Sequence, residues 1–300
     1  MHDRDSLHRF LFEQYPIRGH LVHLDAAWRA LIEHREYPSA IRDTLGEAVA
    51  ASLLLAATVK FEGVLSLQLQ GAGPMHLMLV QCTSGLGVRG LARYRDAEAA
   101  GLERIADLIG DGNLTVTLET DAGAQRYQGI VPIAGERLAE VLQGYFENSE
   151  QLPTRLWLHA DAQGASGMLL QKLPGGSSSA AADEAVIEDA WRRVQLIAET
   201  LTSDELRTLA DAEILRRLFN EDDVRLFEPS PVYFRCRCSR ERVAGMLQGL
   251  GETETRSVLA ERGEVEVRCD FCNRAYTFDV VDIAQLFKAA DFRDSGSRVH

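Results

Sequence analysis

Four of the chain's five cysteines crowd its last quarter as two close pairs, Cys236-Arg237-Cys238 and Cys269-Asp270-Phe271-Cys272, with residues 239–268 between them. Four thiolates satisfy one tetrahedral Zn²⁺ at about 2.3 Å each, and such sites are built from a ligand pair at either end of a small hairpin-and-helix unit. The pattern predicts a zinc site made by Cys236, Cys238, Cys269 and Cys272. An iron–sulfur centre would use the same donors, but nothing else in the chain points to electron transfer. Four protein ligands leave no open position for water or substrate, so the ion would be structural and not catalytic. Arg235, Arg237, Arg240, Arg268 and Arg274 stand beside the pairs, and nearby guanidinium charge favours the thiolate that both binds metal and attacks oxidants. Peroxide or hypochlorite would convert such a thiolate to a sulfenic acid, a neighbouring thiol can condense with it to a disulfide, and two such events consume every ligand.

The elements that must position these sulfurs are few. Residues 231–290 carry nine acidic and nine basic side chains and a thin apolar set. A unit of that size is near the limit at which a hydrophobic core alone supports a fold. Structural zinc contributes about 10–16 kcal/mol to small zinc-dependent folds, against about 5–15 kcal/mol for the stability of a whole domain. Loss of the metal is therefore expected to unfold this unit. Upstream, residues 177–230 read as a helical linker: Val186, Ala190, Val194, Ile197 and Leu201 fall on one stripe, and Ser203-Asp204-Glu205 starts a second helix. Residues 181–230 hold 13 acidic and 6 basic side chains, a net −7. Short amphipathic helices are marginal alone, so this stretch must dock its stripe elsewhere, and undocking would expose apolar surface. Pro174-Gly175-Gly176-Ser177-Ser178-Ser179 marks the boundary before it, and residues 291–300 read as a loose tail.

Residues 1–176 read as an α+β domain. Leu65, Leu67 and Leu69 alternate with Ser66, Gln68 and Gln70, the period of a strand with one buried face. Further strands are expected over 75–82, 114–120, 128–133, 155–159 and 168–173, forming a largely antiparallel sheet. Helices are expected over 26–34, 39–60 and 136–147, packed on one sheet face; the second is apolar nearly all round. The chain has 300 residues, 46% apolar and 26% charged, with a formal net charge of −13. That composition excludes collagen-like and disordered chains, and the charge repels nucleic acid and acidic membrane surfaces. The charged N-terminus lacks a secretory apolar region, and the longest apolar-leaning stretch, residues 48–59, is short of the ~18 residues that span a bilayer. A reducing cytoplasm is the expected location, where paired cysteines are ligands or switches and not structural disulfides.

CRCSRER at 236–242, CDFC at 269–272, FEPSPVYF at 227–234, KFEGVLSLQLQGAGP at 60–74 and YFENSEQLPTRLWL at 145–158 resemble the redox-regulated heat shock protein 33 family. The resemblance runs from Arg18 to beyond Phe278. It implies a non-enzymatic, ATP-independent holdase of the stress response, quiescent when reduced and zinc-bound. Oxidation, usually with heat, would form two disulfides, release zinc, unfold the C-terminal domain and linker, and make the protein active and dimeric. It implies an N-terminal core that binds unfolded clients and dimerises, a metastable linker, and transfer of clients to the 70-kilodalton heat-shock chaperone system. By the same resemblance Cys236, Cys238, Cys269 and Cys272 are the zinc ligands, with disulfides Cys236–Cys238 and Cys269–Cys272.

Other features are weaker. Gly85-Leu86-Gly87-Val88-Arg89-Gly90 fits G-x-G-x-x-G, but residues 90–95 read as extended, so a turn is expected in place of a dinucleotide site. Cys82 shares a strand face with Met78 and Val80 and reads as a core thiol, while His20 and His23 should face opposite sides of a strand. Two other functional classes compete. A four-Cys nucleic-acid-binding regulator is disfavoured by the charge, and a thiol–disulfide oxidoreductase using Cys269 and Cys272 is disfavoured by the lack of a βαβ setting.

Overall fold

The computed structural model describes residues 4–95, 101–102, 104–120, 126–174 and 184–294, with side chains to residue 288. The chain divides into two compact units, residues 1–235 and 236–300. The glycine- and serine-rich boundary after Pro174 and the end of the tail lie outside the described residues.

The first unit runs β1 (Ser6–Phe12), β2 (Ile17–Leu24), α1 (Ala26–Ile32), α2 (Ser39–Thr58), β3 (Gly63–Gly71), β4 (Met75–Thr83), β5 (Gly87–Tyr94), α3 (Ile105–Ile109), β6 (Gly112–Thr120), β7 (Arg126–Pro132) and α4 (Leu138–Tyr145). After a π-helical turn over Phe146–Glu150 come β8 (Thr154–Ala160), β9 (Ala165–Lys172), α5 (Glu184–Ala198), α6 (Ser203–Thr208), α7 (Asp211–Phe219), β10 (Val224–Leu226), β11 (Ser230–Pro231) and β12 (Tyr233–Phe234). The architecture is α+β, and the strands expected to share one sheet are divided between two. One has the order β10-β1-β2-β9-β8, with β11 also on β1, and the other has the order β12-β5-β4-β3-β6-β7. All pairings within them are antiparallel except β12 on β5.

Helix α2 explains why two sheets are needed. Leu45, Ala48, Val49, Ala51, Leu53 and Leu54 are all fully buried and cover most of its circumference, and it packs on β2, β8 and β9 of one sheet and on β3, β4 and β5 of the other. A helix apolar all round needs apolar partners all round. Gly46 allows the close approach: a Cβ there would lie 2.4 Å from the Ala160 Cβ. In β3 the expected alternation holds, with Leu65, Leu67 and Leu69 buried and Gln70 exposed. The glycines at 85–90 lie in the β4–β5 hairpin and in β5, with Leu86 at φ 60° in the turn, so no glycine loop opens a helix there.

The β1–β2–β9–β8 sheet is covered on both faces, unlike the expected one-sided packing. Leu7, Val22 and Leu24 face α2, while Phe10, Phe12, Ile17, Leu21, Met168 and Leu170 face α5, α6 and α7. The residues of α5 that meet this second face are Ala190, Trp191, Val194 and Ala198, followed by Leu201. Val186, expected on the stripe, is 50% exposed; the stripe turns to bring Trp191, the largest apolar side chain available, onto the sheet. Residues 184–219 thus pack within the first unit, on this sheet face, through an apolar cluster of their own.

Glu47, on α2, sits in a cavity of about 320 Å³ with Asp43 and Arg137. Burial, then the Asp43 carboxylate, pushes its carboxyl up to about 8, with Arg137 opposing. A carboxyl whose folded value is raised stabilises the fold fully below its unfolded value near 4.5, and that contribution is lost as pH rises to about 8. Glu47→Gln is expected to flatten this decline and be about 1–3 kcal/mol the more stable at pH 9, read from urea midpoints across pH 5–9.

The second unit is α8 (Arg240–Leu250), α9 (Glu252–Arg262), β13 (Val265–Arg268), β14 (Ala275–Phe278) and α10 (Val280–Asp294), so helix continues past the position where the tail was expected to begin. Its described core is small: Val243, Leu247, Val265, Tyr276, Phe278, Ile283 and Phe287. Among the described residues no helix is long and apolar enough to cross a membrane.

Candidate metal centre

Two local structures carry the four sulfurs. Cys236 and Cys238 follow β12 and precede α8, whose first turn is capped by Ser239, its hydroxyl accepting from the Arg242 amide at 3.3 Å. Cys269 and Cys272 occupy the turn of the β13–β14 hairpin. There the Cys269 amide donates to the Arg274 carbonyl at 3.0 Å, the Asn273 amide donates to the Cys269 carbonyl at 2.8 Å, and Asn273 takes φ 56°. Asparagine tolerates that left-handed conformation, which folds the second pair back toward the first.

All four Sγ atoms lie within 4.8 Å of one another. The Cys236 and Cys269 sulfurs are 3.6 Å apart and those of Cys238 and Cys272 are 3.4 Å apart. A tetrahedral ion with ligands at about 2.3 Å has sulfur–sulfur edges of about 3.8 Å, so the donor set is close to the size one metal requires. Among the described residues no other group of His, Cys, Asp and Glu converges in this way. All four sulfurs are free thiols, and the shortest separations run between the two sequence pairs, not within them.

The electrostatics differ in detail from the sequence expectation. Arg240 donates to Asp282 at 2.6 Å and to the Thr277 carbonyl at 2.7 Å while lying over the Phe278 ring, Arg268 pairs with Glu266, and Arg242 donates to the Arg237 carbonyl. These guanidinium groups tie the unit together. The donor to sulfur is instead Tyr276, whose hydroxyl reaches the Cys238 Sγ at 3.2 Å. Burial opposes ionisation of Cys238, but the Tyr276 hydroxyl and the neighbouring thiols outweigh it and bring that thiol down to about 7. Burial pushes Cys236 and Cys272 up. Tyr276 carried no sequence signal, because at period two in a strand it reads as core.

The remaining candidates fall where their surroundings put them. Cys82 is fully buried against the α2 core and its thiol is pushed up to about 12 by burial, so it is chemically quiet. His20 and His23 alternate across β2, and burial, then the Arg18 and Arg9 charges, hold His20 down at about 3. His23 and His8 instead meet Asp211 of α7 at 2.6 and 2.5 Å, a cluster that sequence spacing did not reveal because its members lie about 200 positions apart.

Comparison with known proteins agrees with this geometry. The family model described as Hsp33 protein matches residues 5–279. The 33 kDa chaperonin of Methylobacillus flagellatus is 47% identical, over 94% of both chains, and that of Nitrosococcus oceani is 48% identical over 96% of both. A crystal structure of the Thermotoga maritima 33 kDa chaperonin superposes with a TM-score of 0.76 at 21% identity, over 95% of this chain and 99% of that one; it shares the fold. With a family model covering nearly the whole chain and relatives near half identity end to end, this chain belongs to the Hsp33 family.

Proposed function

We propose that this chain is a cytoplasmic, redox-regulated holdase chaperone that works without ATP and catalyses no reaction, and that Cys236, Cys238, Cys269 and Cys272 hold one Zn²⁺ in its reduced, resting form. The observation that carries the reading is the meeting of four Sγ atoms within 4.8 Å in a unit whose described apolar core is seven side chains, in a chain of the Hsp33 family. The family's relatives are named chaperonins. Bound zinc would supply cohesion: a fully thiolate-coordinated ion cross-links β13–β14 to the start of α8 and has no position left for substrate.

The switch is a property of the sulfurs. A thiol attacks peroxide to give sulfenic acid and water, and a second thiol displaces water from it to form the disulfide, so each disulfide gives up two electrons and reduces one peroxide. The resemblance to the Hsp33 family implies pairing within Cys236–Cys238 and within Cys269–Cys272, and chain entropy is compatible with it. Short loops keep their ends together when the unit unfolds, while a bridge between the pairs would restrain the fold that must be lost. Once the donors are consumed, about 10–16 kcal/mol of metal-dependent folding free energy is gone. The loosening then passes along the chain. β10, β11 and β12 immediately precede Cys236 and are two or three residues each, with few hydrogen bonds to resist fraying, and α7 comes before them. Release of α5–α7 would bare Phe10, Phe12, Leu21, Met168 and Leu170 together with the α5 stripe, an apolar surface for unfolding clients and for a second copy of the chain; clients would pass on to the 70-kilodalton heat-shock system.

The competing readings lose support from the same details. Cys269 and Cys272 sit in a hairpin turn, not at the start of a helix after a strand, where an oxidoreductase dithiol gains its low pKa. The net charge of −13 opposes nucleic acid. The test tracks released metal and suppression of heat-induced client aggregation in the same sample, before and after peroxide at raised temperature. Suppression is expected only after oxidation, at near-stoichiometric chaperone. Equal suppression in both states would refute the switch, and multiple turnovers in an insulin-reduction assay would favour the oxidoreductase.

A further inference from the structure

The seam between the linker helices and the β1–β2 face has an apolar end and a polar end. At the apolar end, Phe12 packs edge-on against Phe219 with ring centroids 5.0 Å apart, and Val194 and Leu218 are buried beside them. The polar end is different. His8 on β1 and His23 on β2 lie on the sheet face that carries Phe10 and Leu21, His8 opposite Leu21 and His23 opposite Ser6 in the pairing. Asp211, the first residue of α7, reaches down between them: its Oδ2 lies 2.5 Å from His8 Nδ1 and its Oδ1 2.6 Å from His23 Nε2. The Asp211 side chain is 5% exposed and that of His23 is 9% exposed.

An ionised carboxylate only accepts, so it answers an imidazole only through a ring nitrogen that carries hydrogen, and Asp211 stands at ion-pair distance from one such ring on each of two strands. Burial works against the charge on Asp211, yet the two imidazoles outweigh it and hold the carboxyl at about 2. The groups around the cluster complete a clamp. Arg4 donates to the Arg207 carbonyl at 3.1 Å and the Thr208 carbonyl at 2.8 Å, at the end of α6, and its Nε lies 4.0 Å from Asp25; Arg207 lies 3.7 Å from Asp161. A cavity of about 290 Å³ opens beside Asp211. Leu209, Leu226 and Pro229 also line that cavity, so apolar contact and the polar cluster close this end of the seam together.

We propose that the His8–Asp211–His23 bridge is an autoinhibitory latch: it fastens the α6–α7 part of the linker onto β1 and β2 independently of the cysteines, and so sets how readily that segment lifts once the metal centre is lost. The latch's regulatory role rests on the holdase reading above, while its structural role does not. Removing one partner leaves the other buried without a counterpart, which costs more than the pair contributes when intact. The latch thus resists small fluctuations but has no strength in reserve once α7 is pulled away.

The test uses the full-length, reduced, zinc-loaded chain. Asp211→Asn keeps the shape and removes the charge. Amides of residues 203–219 are expected to exchange with deuterium on the order of 10- to 100-fold faster, with peptides from 240–288 unchanged. Suppression of client aggregation is expected to appear at a lower oxidant dose. Unchanged exchange over 203–219 overturns the latch; faster exchange without any gain in suppression upholds the latch and refutes the holdase reading of the linker. Should Asp211→Asn not accumulate as folded protein, His8→Gln, His23→Gln and their double variant decide the matter. A shared carboxylate predicts that the double variant exchanges faster than the two single effects added together, because either imidazole alone still answers Asp211 and only the loss of both leaves it buried and unpaired; strictly additive effects overturn the bridge.

Discussion

Replacing Cys236, Cys238, Cys269 and Cys272 together by serine is expected to leave residues 236–294 without a cooperative fold and to loosen α5–α7, while residues 4–172 keep their cooperative transition. The reason is the ratio of two quantities. The second unit buries seven apolar side chains in its described core, and units of this size rarely gain more than about 3–5 kcal/mol from a hydrophobic core. The metal-dependent term in small zinc folds is about 10–16 kcal/mol. Taking it away reverses the sign of the unit's stability, so the expected effect is all-or-none: complete amide exchange over 240–288 within the first time points, and a limited-proteolysis product that has lost the second unit. Chelating the metal from the unmodified reduced chain should give the same product, and restoring zinc should reverse it. Cys82→Ser is the matched control. That thiol is fully buried and pushed up to about 12, so the substitution should leave both exchange and metal content of the second unit unchanged. If the four-serine variant keeps a cooperative transition in residues 236–294, sulfur and metal are not what holds the unit.

The chemistry of that unit was legible because it is written in residue type and spacing. Two close cysteine pairs declare a donor set before any fold is known, and the hairpin that folds Cys269 and Cys272 back needs only a short turn between β13 and β14. The single-faced strands were legible for the same local reason: Leu65, Leu67 and Leu69 report their burial through period two. What the sequence did not disclose depends on contacts made across the chain. Strand β1 was missed and β2 was read only at His20 and His23, because β2, buried on both faces, shows no alternation, and a strand buried on both sides reads as an apolar run. The two-sheet arrangement was hidden in α2, whose all-round apolarity says that it is enclosed but not by what. The expected α5 stripe holds at Ala190, Val194, Ile197 and Leu201 and departs only at Val186, which is exposed while Trp191 joins the buried set. Tyr276 and the His8–Asp211–His23 bridge are polar partners brought together only by tertiary folding, and no spacing rule reaches them.

Substituting Val194 by glutamate should convert the resting protein into one that suppresses aggregation without oxidant. Val194 is fully buried in the cluster that α5 forms with Phe10, Phe12, Met168 and Leu170. A carboxylate there has no partner among these apolar groups, and an unpaired buried charge costs several kcal/mol, which the linker avoids by lifting off. Three short helices hold that segment down, the longest of 15 residues, and isolated helices of this length are marginal in water. Their docking free energy is accordingly a fraction of the global stability, so the penalty at one site is enough to release them. Lifting α5 bares both its own stripe and the facing sheet, a contiguous patch far larger than scattered surface apolar residues and of the kind that binds unfolded chains. The expected readings are strong binding of an apolar fluorescent dye and client protection in the reduced, zinc-bound state, with metal content undiminished. Leu196→Glu provides the discriminating comparison: it adds the same charge to the same helix, but Leu196 is 59% exposed, so that variant should stay silent until oxidised. Activity in both variants would trace the effect to net charge, and activity in neither would mean that the surface beneath α5 is not where clients bind.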